Sequence, residues 1–184
     1  MKRSNINILL AIFLVLIAAT ARIVNREMGI YNIAPLTAIS LFCGMAMKDK
    51  RALAFLVPLM GQFVADVFFQ FFTKMPGFYP GQLFNYGGLV AATALGTTMK
   101  QPKVLNTFAY LFGASTVFFI ISNLGYFAAG WNGYTAAGLT KTYADAVPFY
   151  KNTLVGDMVG GILLFGSYVF AQRLFVAKAV KARA

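Results

Sequence analysis

The chain has 184 residues, of which 59% are hydrophobic and only 11% charged, with a mean hydropathy of +0.70. Soluble domains carry about 25% charged residues, so the deficit indicates a membrane protein. There is no histidine, which removes the commonest metal ligand and the usual general base. The single cysteine, Cys43, excludes an internal disulfide and a multi-cysteine metal centre. No P-loop pattern occurs, so ATP hydrolysis by that route is excluded. The net charge of +11 would suit nucleic acid, but the basic residues lie between apolar segments rather than in one stripe. They read as topology signals, and no nucleic-acid partner is expected.

Six apolar segments follow one another, roughly over residues 5–21, 33–47, 52–72, 83–99, 104–127 and 154–176. A helix needs about 20 residues to span the hydrocarbon core, with a range of about 17–25. The third, fifth and sixth segments meet this length; the first, second and fourth are short, and the second is the weakest helix of the set. The first, "MKRSNINILLAIFLVLIAATAR", also has the form of a secretory signal peptide, and is read as the first transmembrane helix. With both termini on the cytoplasmic side, Lys48, Lys50, Arg51, Lys100, Lys103 and the basic ends of the chain (Lys2, Arg3, Arg173, Lys178, Lys181, Arg183) lie inside. Arg22, Arg26, Lys74, Lys141 and Lys151 lie outside, a positive-inside bias. The expected fold is therefore all-α: a single polytopic membrane domain, a six-transmembrane-helix bundle with cytoplasmic termini. Gly88, Ala92 and Gly96, and likewise Gly156 and Gly160, recur at a spacing that lets helix backbones approach closely. Pro58 interrupts the hydrogen-bond ladder of the third segment.

Charge inside the apolar run "VADVFFQFF" singles out Asp66, about 9 Å below the outer end of its segment at 1.5 Å per residue. An intramembrane carboxylate should face the bundle interior or a wet cavity, and is a functional candidate or a structural ion pair. Asp157, in "KNTLVGDMVGG", is a second candidate. Its alternative is a place in the first turn of a helix capped by Asn152 or Thr153. Asn123 in "ISNLGYF" and Asn85 in "LFNYGG", with Tyr86 beside it, complete a set of polar groups at a common depth on four segments. Arg22 and Arg26 close the first segment. They snorkel, Arg26 pairs with Glu27, or they receive a carboxylate or phosphate. The stretch 124–153 reads as a long outer connection without a clear helix of its own, and such connections are often functional. It holds Tyr126 and Trp131, the latter between Gly130 and Gly133 like the tip of a lid that could stack on a flat ligand. Cys43 reads as a small buried hydrophobe, with ligation of a metal or a corrinoid as the remote alternative.

Six short segments with both termini inside, an outward polar pocket and long outer connections resemble the substrate-binding S-components of energy-coupling-factor vitamin transporters. The resemblance covers essentially the whole chain and is architectural. The family's Ala-x-x-x-Ala signature is absent from "NILLAIFLVLIAATA", which is more like a solitary member. It implies a multi-pass protein of the cytoplasmic (inner) membrane that captures a small organic nutrient from outside, a vitamin-like heterocycle or a corrinoid. Its partners would be that molecule, the lipid bilayer and an energising module of a coupling membrane subunit and ATPases. On this reading Asp66, Asp157, Asn85 and Asn123 contact the ligand. Trp131, Tyr86 and Tyr126 cover it, and Arg22 or Arg26 meets an acidic group. No catalytic residue, metal or cofactor is expected. The alternatives are an ion-coupled secondary carrier titrating Asp66 or Asp157, an integral membrane enzyme and a purely structural subunit.

Overall fold

The computed structural model describes residues 3–181, with side chains described from residue 8 to residue 174. Among the expected basic terminal residues, Lys2 and Arg183 lie outside the described residues, as do the side chains of Arg3, Lys178 and Lys181. The described residues form six α-helices: α1 (Arg3–Glu27), α2 (Leu36–Ala46), α3 (Arg51–Phe72), α4 (Gln82–Thr98), α5 (Val104–Ala128) and α6 (Ala136–Lys181). Four of them, α1, α3, α5 and α6, contain stretches long and apolar enough to cross a membrane. Leu83, Val104, Leu105, Phe71 and Phe72 are among many apolar side chains left exposed on the outside of the bundle. In a bilayer such a surface faces lipid at no hydrophobic cost, which explains how a chain with this composition folds.

The weakest segment of the sequence turns out to be the centre of the bundle. Every residue of α2 from Leu36 to Met45 is buried, and α2 packs against α3, α4, α5 and α6. At 11 residues it is about 16 Å long, about half the hydrocarbon thickness. Burial is what holds so short a helix, since isolated helices of this length are marginal. Leu41 and Ile39 are wholly enclosed, and Phe42 meets Phe165 and Tyr168 edge-on at 5.4 and 5.9 Å. Against α4 the backbones touch: a Cβ on Gly44 would run into the Thr93 carbonyl oxygen, and one on Gly96 into that of Leu41.

A helix that begins inside a bundle leaves its first amide groups without intrahelical partners. Pro35, at the cap, contributes no side-chain hydrogen bond. Asp157 of α6 supplies the missing acceptor: its Oδ1 takes the Ala38 N–H at 2.9 Å, and its Oδ2 takes the Ser115 hydroxyl of α5 at 2.7 Å. The neighbouring Gly156 and Gly160 let the incoming strand of chain lie directly on α6, because a Cβ there would strike Ile33 and Pro35. Asp157 is thus a helix cap, but for α2 rather than for its own helix.

The largest departure from expectation is α6. It opens at Ala136 rather than near Leu154 and runs 46 residues, through Pro148. α5 also extends to Ala128. The expected long connection is therefore a short link, residues 129–135, between two long helices.

Replacing Gly96 by Ala should lower the thermal midpoint in detergent by the equivalent of about 1–3 kcal/mol, the usual cost of overpacking. Gly166→Ala, where an added Cβ meets nothing, should be neutral or slightly stabilising. Differential scanning fluorimetry of the two variants compares them directly. Asp157→Ala should cost about 1–3 kcal/mol by the same measurement, because it leaves the Ala38 amide and the Ser115 hydroxyl buried without a partner.

Candidate functional site

One end of the bundle is hollow. A cavity of about 650 Å³ is bounded by residues from all six helices, a size within the range of small-molecule sites. The short α2 makes the space: its first turn, with Leu36 and Thr37, lines the cavity that the other five helices surround. Arg22, Asn25 and Arg26 come from the last turns of α1, where the i, i+3, i+4 spacing turns all three to one face. Asn85 enters from α4, Asn123 and Tyr126 from α5, Trp131 and Asn132 from the link, and Tyr150 from α6.

Six of the nine residues singled out in the sequence therefore share this void: Arg22, Arg26, Asn85, Asn123, Tyr126 and Trp131. Asp66, Asp157 and Tyr86 are not among its lining residues. Asp157 is committed to α2. Asp66 is fully enclosed and sits behind the wall, where Arg22 pairs with it. It also accepts from Gln62 at 3.2 Å, from Gln82, and from the Tyr86 hydroxyl at 2.7 Å. Those donors lie on α1, α3 and α4, so one carboxylate ties three helices together. Arg22 is the member that reaches both worlds. Its Nη1 is held by Asp66 and by the Gln62 carbonyl at 3.2 Å, while the residue lines the cavity.

Arg26 is held differently. Its guanidinium lies over the buried Phe69 ring, 4.8 Å from the centroid, and Arg22 lies 5.6 Å from the same ring. Its Nε donates towards the Met75 sulfur at 2.9 Å. No ion pair with Glu27 forms; the two pairs among the described residues are Arg22–Asp66 and Lys141–Asp145.

The amide side chains have fixed orientations that leave acceptors for a guest. Asn123 donates its NH₂ to the Phe119 carbonyl at 2.8 Å, and Asn132 donates to Thr142 at 3.0 Å while Thr142 donates onward to the Gly138 carbonyl. Each amide carbonyl is then available, and no buried side-chain polar atom among the described residues lacks a partner. Asn85 donates to the Tyr79 oxygen at 2.6 Å, so the phenol proton remains free to donate. Burial pushes the Tyr79 phenol above its ordinary value, against the pull of the Arg22 charge, which keeps it a neutral donor. Tyr150 donates to Thr116, whose own proton goes to the Phe112 carbonyl. Its ring leans on Phe119 at 4.6 Å.

Trp131 stacks on Tyr126, 5.4 Å between centroids and 21° between planes, and is 56% exposed. Gly130 and Gly133, both at φ 78°, permit the tight turn that carries it. Trp131 marks the rim as expected, though on a seven-residue link rather than a long lid. Cys43 is wholly buried in the core and does not line the cavity.

Several contributors escaped the sequence reading. Gln62 stands one turn before Asp66 on the same face of α3, and that i, i+4 spacing was a usable signal. Tyr79, Asn25, Asn32 and Asn132 sit in or beside turns, where amides and phenols are too common to stand out.

A helical membrane protein with a ligand-sized, polar and aromatic hollow at one end is the class these features define. The chain belongs to the family of unknown function designated DUF6580, whose model matches residues 2–180. No curated protein and no solved structure matches it.

Asp66→Ala should lower stability by about 3–5 kcal/mol, because it strands the Arg22 charge in a mostly buried site. Removing both charges, as Asp66→Ala with Arg22→Met, should recover a large part of that loss. Thermal midpoints of the wild type and both variants in one detergent decide it: a double variant no better than the single would refute the pairing as the cause.

Proposed function

We propose that this protein is the substrate-binding component of an import system, resembling the S-components of energy-coupling-factor transporters. It captures a small organic nutrient at the outer face of the cytoplasmic membrane. All six helices cross or enter the bilayer, and both termini lie inside. The observation that carries this reading is the cavity of about 650 Å³ at one end of the bundle, with guanidinium, amide and phenol groups set among aromatic rings. Fixed polar groups on an apolar surround are what a small-molecule site needs. Lys48, Lys50, Lys100 and Lys103 lie in the links at the opposite end, with Arg51 at the start of α3 beside them, which by the positive-inside tendency supports an outward-facing cavity.

The volume favours a single or fused heterocycle with a side arm over a corrinoid macrocycle, and the enclosed Cys43 could not reach a metal held there. Flat rings would stack against Trp131 and Tyr126; ligand N–H groups would meet the carbonyls of Asn123 and Asn132. An energising module, a coupling membrane subunit with ATPases, would drive release to the inside. The chain performs no chemistry on its ligand.

One observation favours a second reading, an ion-coupled carrier. Arg22 touches both the cavity and the buried Asp66, so ligand binding and the state of that carboxylate are mechanically linked. Proteoliposomes holding this protein alone would accumulate ligand under a proton gradient in that case, and would not if a module is required.

Native mass spectrometry of freshly purified protein should reveal a bound small organic molecule. Adding that molecule to emptied protein should change the fluorescence of Trp131, the chain's one tryptophan. Asn123→Ala should weaken binding by roughly threefold to tenfold, the worth of one hydrogen bond. A protein that carries no small molecule and shows no tryptophan response to a panel of water-soluble vitamins would refute the proposal.

A further inference from the structure

The charges around the cavity do not cancel. Three charged side chains line it: Arg22, Arg26 and Asp145. Arg22 is offset by Asp66, and Asp145 by Lys141 one turn away. Arg26 has no carboxylate partner among the described residues. Its guanidinium is nevertheless not loose. The face lies on Phe69 and the Nε–H is directed at Met75, so the two terminal amino groups are the part with no protein acceptor among the described residues. A thioether is a weak acceptor and a ring face takes charge without neutralising it. The arrangement therefore orients a cation and leaves its strongest hydrogen-bonding edge vacant.

Taking the cavity as a binding site, we propose that its occupant carries an acidic group, a carboxylate or a phosphate, that docks on the terminal amino groups of Arg26. Arg22 stands beside it on the same face of α1 and on the same Phe69 ring. A planar guanidinium offers two parallel N–H donors, which matches the paired oxygens of either acid. Asp66 acts through Arg22 as a positioning residue. By holding Nη1, it prevents Arg22 from swinging into the cavity and fixes where its remaining donors point. Asn123 and Asn132 line the same cavity, and their carbonyls suit N–H donors elsewhere on the same molecule.

The test is equilibrium dialysis of full-length protein in detergent against 2-naphthoate and its uncharged counterpart 2-naphthamide. Wild-type protein should retain the acid over the amide. Arg26→Gln should weaken retention of the acid by about tenfold to a hundredfold, the worth of a charge-assisted pair, and leave the amide unchanged. Arg26→Lys should recover part of the loss. Inorganic phosphate and short-chain phosphatidylglycerol, added as competitors, separate a solute anion from a lipid headgroup; displacement by either supports the anion site. The thermal midpoint of Arg26→Gln, expected to match wild type, guards against misfolding. Equal retention of acid and amide, acid retention independent of Arg26, or no retention of either probe would overturn the inference. A co-purified neutral molecule would overturn it too while leaving the importer reading standing. Retention of the acid by a protein that carries no co-purified small molecule and shows no tryptophan response to the vitamin panel would do the reverse.

Discussion

A helix that starts inside a bundle, with its Ala38 amide fully enclosed, is the constraint on which this molecule is built. In an apolar surround each unpaired backbone group costs several kcal/mol, so α2 can begin at Leu36 only because Asp157 reaches across from α6 to take the Ala38 N–H. Two further features follow from that contact. Gly156 and Gly160 must be bare so that Ile33 and Pro35 can lie against α6. Ser115 must donate to the second carboxylate oxygen, which adds α5 to the same joint. With the cap in place α2 stops short, and the space beyond it becomes the cavity. The hollow is the consequence of a truncated helix held by a buried acid.

The two arginines of α1 illustrate how a scarce charge is used when lipid surrounds the protein. Arg22 is neutralised internally, and its partner Asp66 is saturated by Gln62, Gln82 and Tyr86 as well. Such a site contributes little net stability against a well-packed apolar alternative, but breaking it is costly, so it specifies how α1, α3 and α4 meet. Arg26 sits one turn later on the same face and has no such partner. Identical residues four positions apart thus serve different ends. The neighbour at the matching height, a carboxylate in one case and a thioether in the other, decides which.

Much of this was legible in the sequence, and the failures have physical causes. The long apolar runs of α3 and α5 announced themselves by length and hydropathy, whereas the first segment, read as short, belongs to a helix of 25 residues, and the basic links "KDKR" and "KQPK" marked one end of the bundle. Of the four polar groups read at a common depth, Asn85 and Asn123 line the cavity whereas Asp66 and Asp157 do not, and Arg22 and Arg26, read as closing the first segment, line it as well. The start of α6 was hidden because Lys141, Asp145, Pro148 and Lys151 read as an aqueous loop. They are instead the polar part of a helix that continues past the apolar segment, and Pro148 is accommodated within it. Asp66 and Asp157 were correctly recognised as charges that needed a reason. Sequence alone could not say whether that reason was a guest molecule or the protein itself, because the answer depends on partners such as Gln82 and Ala38 that are far away along the chain.

The short link between α5 and α6 bears on how the cavity could open and close. A lid of thirty residues would close by ordering itself around a ligand, with the entropy of a long loop at stake. Residues 129–135 have no such freedom. Gly130 and Gly133 set the turn, Tyr134 donates to the Ala128 carbonyl at 3.3 Å, and Trp131 is already stacked on Tyr126. The seat of α2 is equally committed, through Asp157 and the two bare glycines of α6. α1 is the helix with the fewest ties to the centre, since it packs chiefly on α3 and meets α2 only lightly. Its hold on the cavity end of the bundle runs through Arg22 and Asp66, through the two guanidiniums on Phe69, and through the packing of Ala19 and Ile23 against Ala65 and Phe69. An anion docking on α1 would therefore bear on a wall whose attachment combines packing with the Arg22–Asp66 pair.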